Sequence, residues 1–573
     1  MKSEKRLILA DNGQTDYQIV ISDSATPSER HAAEEMKYYL KEISGAVFPI
    51  KTEQEYETGP AILIGRSGLS ESALTGEEWD GLGTEGFHIR GAGRNVVIAG
   101  SSTRGALYGV YGFLERCLGC RWFTKTVHKI PKRNCISLPA PEIREVPVLE
   151  YREPYYLGNQ DPDWHARNFC NGHFPALGSL LGGKMKYHPF VHTFFDLVPP
   201  EKYFAEHPEY YSEVDGKRIH ERAQLCLTNE DVFQIALNQV KTWLSEDPDA
   251  AIISVSQNDC IHPCTCARCR SVDEEEESHA GTLIRFVNRI AEEIEKDYPD
   301  VLIDTLAYQY TRKPPRHVRP RKNVIIRLCS IECCFSHPLS SCTRAASFEG
   351  KDWARDSFVD DLVGWGKISD RLYIWDYVTN FANYLQPFPN FNVLQENIRF
   401  LAENHVRGIF EEGNNAEGES GELDQLRQYL LAKLLWNPED DAGARIDEFM
   451  NGYYGMAAPW MRRWFDLYHS RITPEIHMGI YDKPDAPYLD DDLLDEGERL
   501  FDRAETVADN EEILSRVRTA RLSIRFVRLS RMPGDEPDRE RKIRAFFKEV
   551  KAAGITQIRE WTPLALSEKE MLG

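Results

Sequence analysis

The chain has 573 residues, of which 42% are hydrophobic and 11% aromatic, and this composition predicts two to four packed units rather than a disordered chain. Acidic residues number 91 and basic residues 69, and the resulting net charge of -22 disfavours nucleic acid as a partner. No apolar run approaches the roughly 20 residues of a membrane span, and the first residues lack a signal-peptide pattern. We therefore expect no membrane partner and a cytoplasmic location, or secretion if a signal has been removed.

The first 140 residues are predicted to form a small α/β accessory domain. A strand at residues 17–21 precedes Thr26-Pro27-Ser28-Glu29, where Thr26 is typical of an N-cap, Pro27 of the first helical position and Glu29 of a capping box. Further strands are expected at residues 61–64, 86–90 and 95–99, and a second helix at residues 104–118. A Pro-rich stretch at 131–147 is a plausible linker.

Residues 145–445 are predicted to form a catalytic domain in which short β-rich runs alternate with helical or irregular segments. Eight such runs in one unit favour an α/β fold with a closed (β/α)8 TIM barrel. An open doubly wound sheet is the alternative, but no G-x-G-x-x-G follows a first strand. Residues 446–573 are predicted to be a helical region that packs on the barrel. The eight candidate strands are residues 150–156, 189–194, 224–227, 251–257, 301–307, 323–329, 371–375 and 406–410.

Reactive groups in such barrels lie just beyond the strand ends, so polar residues at those positions are the site candidates. Asn258 and Asp259 follow the fourth strand, although a turn capped by Asn and Asp is the more common explanation of such a pair on its own. Glu411 and Glu412 end the eighth strand, and only one of them can point into the barrel mouth because neighbouring strand residues face opposite sides. Asp259 with either glutamate is the predicted catalytic pair.

A third strand end, Trp375-Asp376-Tyr377, places aromatic rings beside an acid, which suits the apolar faces and hydroxyl edges of a sugar. The alternative interpretation of Trp375 is a large core residue. His192, Tyr308 and Glu332 follow other predicted strands and complete the candidate binding residues. Carboxylate pairs cleave glycosidic bonds by protonating the leaving oxygen while the second group stabilises or attacks the oxocarbenium-like centre.

Thirteen cysteines are an odd number and are strongly clustered, which favours a reduced compartment. Cys264, Cys266 and Cys269 have spacing that lets thiolates converge on one structural zinc, but buried free thiols or a disulfide fit as well. Cys329, Cys333, Cys334 and Cys342 form a second group with His337. We expect catalysis to require no cofactor.

Several segments resemble the family catalogued as domain of unknown function 4838, part of which is classed as glycoside hydrolase family 163. The matching stretches include ISVSQNDC followed by CTCARC, RLCSIECCFSHPL and GIFEEGNNAEGESGELDQLRQYLLAKLLWNP. HAAEEMKYYLKEISG and RGALYGVYGFLERCLGCRWF also resemble the N-terminal domain of family 67 α-glucuronidases and family 20 hexosaminidases.

The resemblance implies a (β/α)8 catalytic domain and endo-β-N-acetylglucosaminidase action on glycans. In related barrels an Asp-Glu pair follows strand four: the acid protonates the leaving oxygen, and its neighbour orients the 2-acetamido group of the substrate, which attacks C1. This sequence has Asn258-Asp259 there, so Glu411 or Glu412 is the substitute candidate for the general acid. The alternatives are an α-glucuronidase-like glycosidase, a zinc-dependent hydrolase, and a carbohydrate-binding barrel without catalysis.

Overall fold

The computed structural model describes residues 6–348, 351, 354, 357–419 and 421–573. In this part of the chain, no helix is both long enough and apolar enough to cross a membrane. The boundaries expected for the accessory, barrel and C-terminal units stay predictions.

The N-terminal part contains a six-stranded mixed sheet in the order β10-β5-β6-β4-β2-β3. Helix α1 begins after Thr26 because its hydroxyl accepts from the Glu29 amide, while the Glu29 carboxylate accepts from the Thr26 amide at 2.8 Å. It ends at Gly45, whose φ of 77° is the left-handed cap conformation. The elements are β1 (Arg6–Asp11), β2 (Gln18–Ile21), α1 (Pro27–Ser44), β3 (Ile50–Thr52), β4 (Ala61–Ile64), α2 (Gly68–Glu71), α3 (Gly76–Asp80), β5 (Phe87–Ala92), β6 (Asn95–Gly100), α4 (Gly105–Gly112), β7 (Arg121–Trp122), β8 (His128–Lys129), β9 (Cys135–Pro139) and β10 (Glu142–Glu145).

A second sheet contains six parallel strands in the order β11-β18-β17-β16-β15-β14. Strand β11, the first in the chain, pairs with β18, the last, which is the closing contact of a barrel. The sheet is therefore curled into a half-barrel, and the prediction of a TIM-like α/β fold is confirmed. Its strands, together with the short hairpin β12–β13, are β11 (Tyr151–Tyr155), β12 (Glu213–Val214), β13 (Lys217–Arg218), β14 (Ile252–Ser254), β15 (Leu302–Ala307), β16 (Val324–Cys329), β17 (Leu372–Tyr377) and β18 (Val406–Glu412).

Two of the eight predicted strands, residues 189–194 and 224–227, are not strands in the structure. The segment before the first of them runs beside β14 instead, since the Ala251 amide donates to the Lys186 carbonyl at 2.9 Å and Tyr187 forms an isolated bridge with Ile252. Leu225 forms only an isolated antiparallel bridge with Tyr211. Irregular chain thus occupies the part of the barrel between β11 and β14.

The helices lie outside the half-barrel and in a C-terminal region that begins after β18. The C-terminal helices are long and pack on one another in sequence, which agrees with the helical region expected there. The helices are α5 (Pro162–Arg167), α6 (Phe194–Leu197), α7 (Pro200–Tyr203), α8 (Glu230–Glu246), α9 (Ala267–Glu276), α10 (Ala280–Glu295), α11 (Phe358–Gly366), α12 (Phe391–Glu403), α13 (Asp424–Trp436), α14 (Ala442–Tyr454), α15 (Ala458–His469), α16 (Asp491–Val507), α17 (Glu511–Arg531), α18 (Arg539–Ala552) and α19 (Leu564–Leu572).

The interior of the half-barrel is filled by a buried cation and aromatic rings. Arg327 on β16 and Asp304 on β15 form an ion pair at 3.2 Å, and both side chains are completely buried. The guanidinium lies 5.3–5.5 Å from the ring centres of Tyr151, Tyr187 and Tyr373. This layer fills the barrel interior, so the end of the barrel where ligands bind in this fold lies above it, at the carboxyl ends of the strands.

Two loops of the C-terminal region lie against the barrel at the carboxyl ends of its strands. The Phe381 amide, four residues beyond β17, donates to the Ile480 carbonyl at 2.8 Å, and the Glu560 amide donates to the Phe381 carbonyl at 3.0 Å. The Tyr384 amide donates to the Ile558 carbonyl at 2.9 Å. These bonds fix residues of both loops above the strand ends.

Replacing Arg327 by Met is expected to destabilise the protein by about 3–5 kcal/mol, because Asp304 then stays buried without its cation. The double variant Arg327→Met/Asp304→Asn removes both charges and should recover part of that loss. Urea unfolding measures both, with exposed Arg541→Met as the control for a lost arginine. If the double variant is no more stable than Arg327→Met, the loss of stability does not come from leaving Asp304 buried without its cation.

Candidate active site

A cavity of about 410 Å³ opens at the carboxyl ends of the barrel strands. This volume is in the range of small-molecule binding sites. Barrel residues form its floor and most of its wall, and the two C-terminal loops form the rest. The lining residues are Tyr155, Phe174, Phe190, Val191, His192, Asp259, Leu306, Tyr308, Cys329, Ile331, Trp375, Tyr377, Phe381, Phe410, Glu412, Asn415, Ile480, Tyr481, Glu560 and Trp561.

The pairing of β17 with β18 determines which side chains face this pocket. Trp375 lies opposite Phe410, and Tyr377 lies opposite Glu412. Since alternate residues of a strand share a face, these four side chains all point into the barrel mouth. The intervening pair, Asp376 and Glu411, must point the other way.

Glu412 is a partly buried carboxylate at the wall of the pocket. The Trp375 indole N–H donates to its Oε2 at 2.7 Å, and this hydrogen bond favours the ionised form. Desolvation acts in the opposite direction and is the larger effect, with further contributions from the negative charges of Glu560 and Asp259. Together they raise the pKa of Glu412 to about 8, so this carboxyl group is protonated at neutral pH.

Asp259 is the exposed carboxylate on the other side of the pocket. The Tyr308 hydroxyl donates to Asp259 Oδ1 at 3.2 Å and accepts from the Gln309 amide group at 3.0 Å. His192 lies near by, in the left-handed conformation at φ 60°, and its Nδ1 is 2.8 Å from the Gln257 carbonyl oxygen. Because a carbonyl only accepts, Nδ1 carries the proton of the neutral ring and Nε2 is an acceptor.

The C-terminal loops add Glu560 and Trp561, which the sequence analysis missed. Burial, with a smaller contribution from the charge of Asp259, raises the pKa of Glu560 to about 7. Trp561 is 75% exposed and adopts a φ of 54°, a conformation that is unusual for a bulky side chain and is typical of functional sites. Neither residue follows a barrel strand, so the strand-end criterion could not identify them.

Six of the ten predicted site residues line this pocket: Asp259, Glu412, Trp375, Tyr377, His192 and Tyr308. The other four do not. Asp376 and Glu411 are buried on the outer face of the sheet, where the Ser330 hydroxyl donates to Asp376. Glu332 is buried in an ion pair with Arg312.

Asn258 is also absent from the pocket wall, because its amide group holds neighbouring loops together. Its Nδ2 donates to the Ala223 carbonyl at 2.8 Å and its Oδ1 accepts from the Phe195 amide at 3.3 Å. The structure therefore places Asn258 outside the lining of this pocket. Its position instead fixes the start of the loop that carries Asp259.

Cys264, Cys266 and Cys269, the predicted zinc candidates, come together with a fourth buried thiol, Cys226, in a group that we call the four-thiol cluster. The four sulfurs lie within 4.8 Å of one another, and Cys226 Sγ is 3.7 Å from Cys266 Sγ and 3.9 Å from Cys269 Sγ. Four thiolates at 2.3 Å from a tetrahedral zinc would be about 3.8 Å apart. The observed spacing thus fits a zinc site, and all thirteen cysteines of the chain are free thiols.

A curled parallel barrel with carboxylates and aromatic rings at its strand ends is an architecture of glycoside hydrolases. Comparison with known proteins agrees with this class. Residues 122–466 match the family described as "Domain of unknown function (DUF4838)", and residues 10–113 match "Glycosyl hydrolase family 67 N-terminus". Because the first match covers more than half of the chain, the protein belongs to the DUF4838 family.

Solved structures share the fold at low sequence identity. One is a family GH115 4-O-methyl-α-glucuronidase with specificity for decorated arabinogalactans, 13% identical, with a TM-score of 0.58 over 96% of this chain and 76% of that chain. Another is a family 89 glycoside hydrolase from Clostridium perfringens, 12% identical, with a TM-score of 0.50 over 92% of this chain and 66% of that chain. No curated protein sequence matches the chain.

The raised pKa of Glu412 predicts a specific pH dependence of stability. Between the ordinary glutamate pKa of 4.5 and about 8, the folded protein keeps a proton that the unfolded chain releases, so rising pH destabilises the fold across this window. Glu412→Gln cannot ionise and should lose less stability than the wild type between these two pH values. Urea unfolding at both ends of the window measures this, and the exposed Glu439→Gln is the control. A pH-independent difference between Glu412→Gln and wild type would contradict the assignment.

Proposed function

We propose that the protein is a glycoside hydrolase in which Glu412 and Asp259 act on a glycosidic bond. The observation that carries this proposal is the presence of both carboxylates in one sugar-sized pocket walled by Trp375, Tyr377 and Tyr308. Aromatic faces bind the apolar C–H faces of sugar rings, and carboxylates beside them bind hydroxyl groups or transfer protons.

Glu412 has the properties of the general acid. A glycosidase acid must hold its proton at the working pH and deliver it to the leaving oxygen, and the pKa of Glu412 near 8 meets this need. Asp259 is the proposed second carboxylate, which stabilises or attacks the oxocarbenium-like centre. The Tyr308 hydroxyl holds Asp259 in place, and Glu560 contributes further negative charge.

The charge of the pocket supports a neutral sugar as substrate. Among the described residues that line it there are three carboxylates and no Lys or Arg. A glucuronic acid residue carries its own carboxylate, which would find no Lys or Arg to pair with among these residues and would lie near Asp259. We therefore favour a β-linked N-acetylhexosamine glycan, with endo-β-N-acetylglucosaminidase-like cleavage, over the α-glucuronidase alternative. Trp561 is a suitable stacking platform at the entrance.

The test uses an aryl β-N-acetylglucosaminide, an N-glycosylated protein and an aryl α-glucuronide as substrates. Hydrolysis is expected for the first two substrate types, and Glu412→Gln and Asp259→Asn should each lower kcat by about 10²–10⁴-fold. Glu411→Gln is the matched control, because its side chain lies outside the pocket. Release of glucuronic acid alone would overturn the choice of sugar.

A carbohydrate-binding protein without catalysis is the alternative from another class. It would bind these glycans with no turnover, and Glu412→Gln would then change affinity only. Equal glycan binding by wild type and Trp561→Ala, measured by calorimetry, would remove the stacking role proposed for Trp561.

We also propose that the four-thiol cluster holds a structural zinc ion. Its thiols are buried and none lines the pocket, so a catalytic role for this ion is not supported. Cys264 and Cys266 lie in the loop that begins at Asp259, and Cys269 lies in the first turn of α9, which follows this loop. The Gln224 amide group donates to the Cys260 carbonyl of the same loop at 2.6 Å. Zinc here would fix the loop that presents Asp259.

Metal analysis should find zinc that Cys226→Ser releases, because three thiolates bind the ion more weakly than four. The exposed Cys135→Ser is the matched cysteine control and should keep its zinc. We expect Cys226→Ser to unfold at lower temperature than Cys135→Ser. Identical zinc contents in these two variants would exclude the site.

A further inference from the structure

A second group of potential metal ligands lies at the contact between the barrel and the C-terminal region. Cys334, His337 and Cys342 follow β16, and His477 lies between α15 and α16. One ligand atom of each side chain falls within 4.8 Å of the others. We call this group the mixed cluster. It shares no residue with the four-thiol cluster or with the pocket wall.

We propose that the mixed cluster is a zinc site that fastens the C-terminal loop carrying Tyr481 to the barrel. The distances within it are those of a tetrahedral site. Cys334 Sγ is 3.4 Å from His337 Nδ1, and Cys342 Sγ is 3.5 Å from His477 Nδ1. Zinc bound at 2.3 Å to sulfur and about 2.05 Å to nitrogen would separate the two ligand atoms by about 3.5 Å.

The hydrogen bonding of His337 places the required lone pair on the correct atom. Its Nε2 lies 3.0 Å from the Thr473 carbonyl oxygen, which can only accept, so Nε2 carries the proton of the neutral ring. Nδ1 is then unprotonated and faces Cys334 Sγ. Donation of the second ring nitrogen to a backbone carbonyl is the usual support of a metal-bound histidine.

The ligand chemistry selects the metal. Two thiolates with two imidazoles are a common set for structural zinc, and they do not suit magnesium or calcium, which prefer oxygen ligands. His337, Cys342 and His477 are partly exposed, so an ion can enter from solvent.

An ion bound at the mixed cluster would also affect the pocket, because the cluster lies next to a segment that forms part of the pocket wall. The Phe335 amide donates to the Met478 carbonyl at 2.9 Å, and the Met478 amide donates to Ser336 Oγ at 3.1 Å. The chain then continues through Ile480 to Tyr481, both of which line the pocket. A zinc ion on His477 would therefore hold this part of the wall against the barrel.

The experiment measures zinc per chain in the full-length protein, purified under reducing conditions. Wild type and Cys135→Ser should contain two zinc ions, Cys226→Ser one, and His477→Gln and Cys342→Ser one each. Cobalt substitution of the zinc-free protein is a second measurement. The cobalt bound by Cys226→Ser should show tetrahedral absorption from a site with both sulfur and nitrogen ligands.

Hydrogen exchange reports the structural role without any activity assay. Amides of residues 476–482 should exchange several-fold faster in His477→Gln than in wild type, and at the wild-type rate in Cys226→Ser. If zinc content is the same in His477→Gln, Cys342→Ser and wild type, or if the reduced protein contains a Cys334–Cys342 disulfide, the inference is overturned. One zinc that is lost in His477→Gln and kept in Cys226→Ser would support the mixed cluster and reject the four-thiol cluster as a zinc site. None of these outcomes depends on the proposed glycosidase activity.

Discussion

Arg327 and Asp304 form a completely buried ion pair in the middle of the half-barrel, with tyrosine rings from β11 and β17 around the guanidinium. A charge taken out of water in this way is tolerated only if it is paired and surrounded by groups that interact with it favourably. The pair therefore imposes a fixed arrangement on strands β15 and β16 and on the rings beside them. The part of the pocket lined by Phe190 and Trp375, whose rings stack at 5.6 Å, lies on this layer.

The pocket above this ion pair differs from it in charge, because the acidic side chains of the pocket are not paired with cations. Glu412, Glu560 and Asp259 share one cavity, and among the described lining residues no Lys or Arg neutralises them. Desolvation raises the pKa of Glu412 and Glu560, and the negative charge of Asp259 raises both further. The Trp375 indole only partly offsets this for Glu412. Such unpaired carboxylates are costly for stability and are characteristic of sites where a proton is to be transferred. The buried ion pair thus belongs to the part of the barrel that stabilises the fold, and the acidic pocket above it belongs to the part proposed to bind substrate.

The barrel and much of the pocket could be predicted because strand ends carry local signals. Abrupt changes from apolar to polar residues located Asp259 and Glu412. The alternation of strand residues would also have excluded Asp376, which cannot share a face with Trp375 and Tyr377. The strands expected at 189–194 and 224–227 failed because an apolar run has the same composition in a buried irregular segment as in a strand.

Other parts of the site depend on contacts distant in sequence. Cys226 lies 40 residues before Cys266, and only the folded chain shows that their sulfurs meet. Glu560 and Trp561 belong to a loop between helices that shows no sign in the sequence of returning to the barrel. The same holds for His477, because the other residues of the mixed cluster precede it by more than 130 residues.

The two C-terminal loops have a consequence for how such a protein can diversify. Glu412 ends strand β18 and Asp259 lies on the loop after β14, whereas Tyr481 and Trp561 are on segments between C-terminal helices that hydrogen bonds hold against the barrel. Substitutions and insertions in these segments can reshape the entrance while leaving the strand ends untouched. Under the proposed function, relatives of this chain would differ in glycan preference around the same two carboxylates, and the most informative place to compare them is the helical region rather than the barrel.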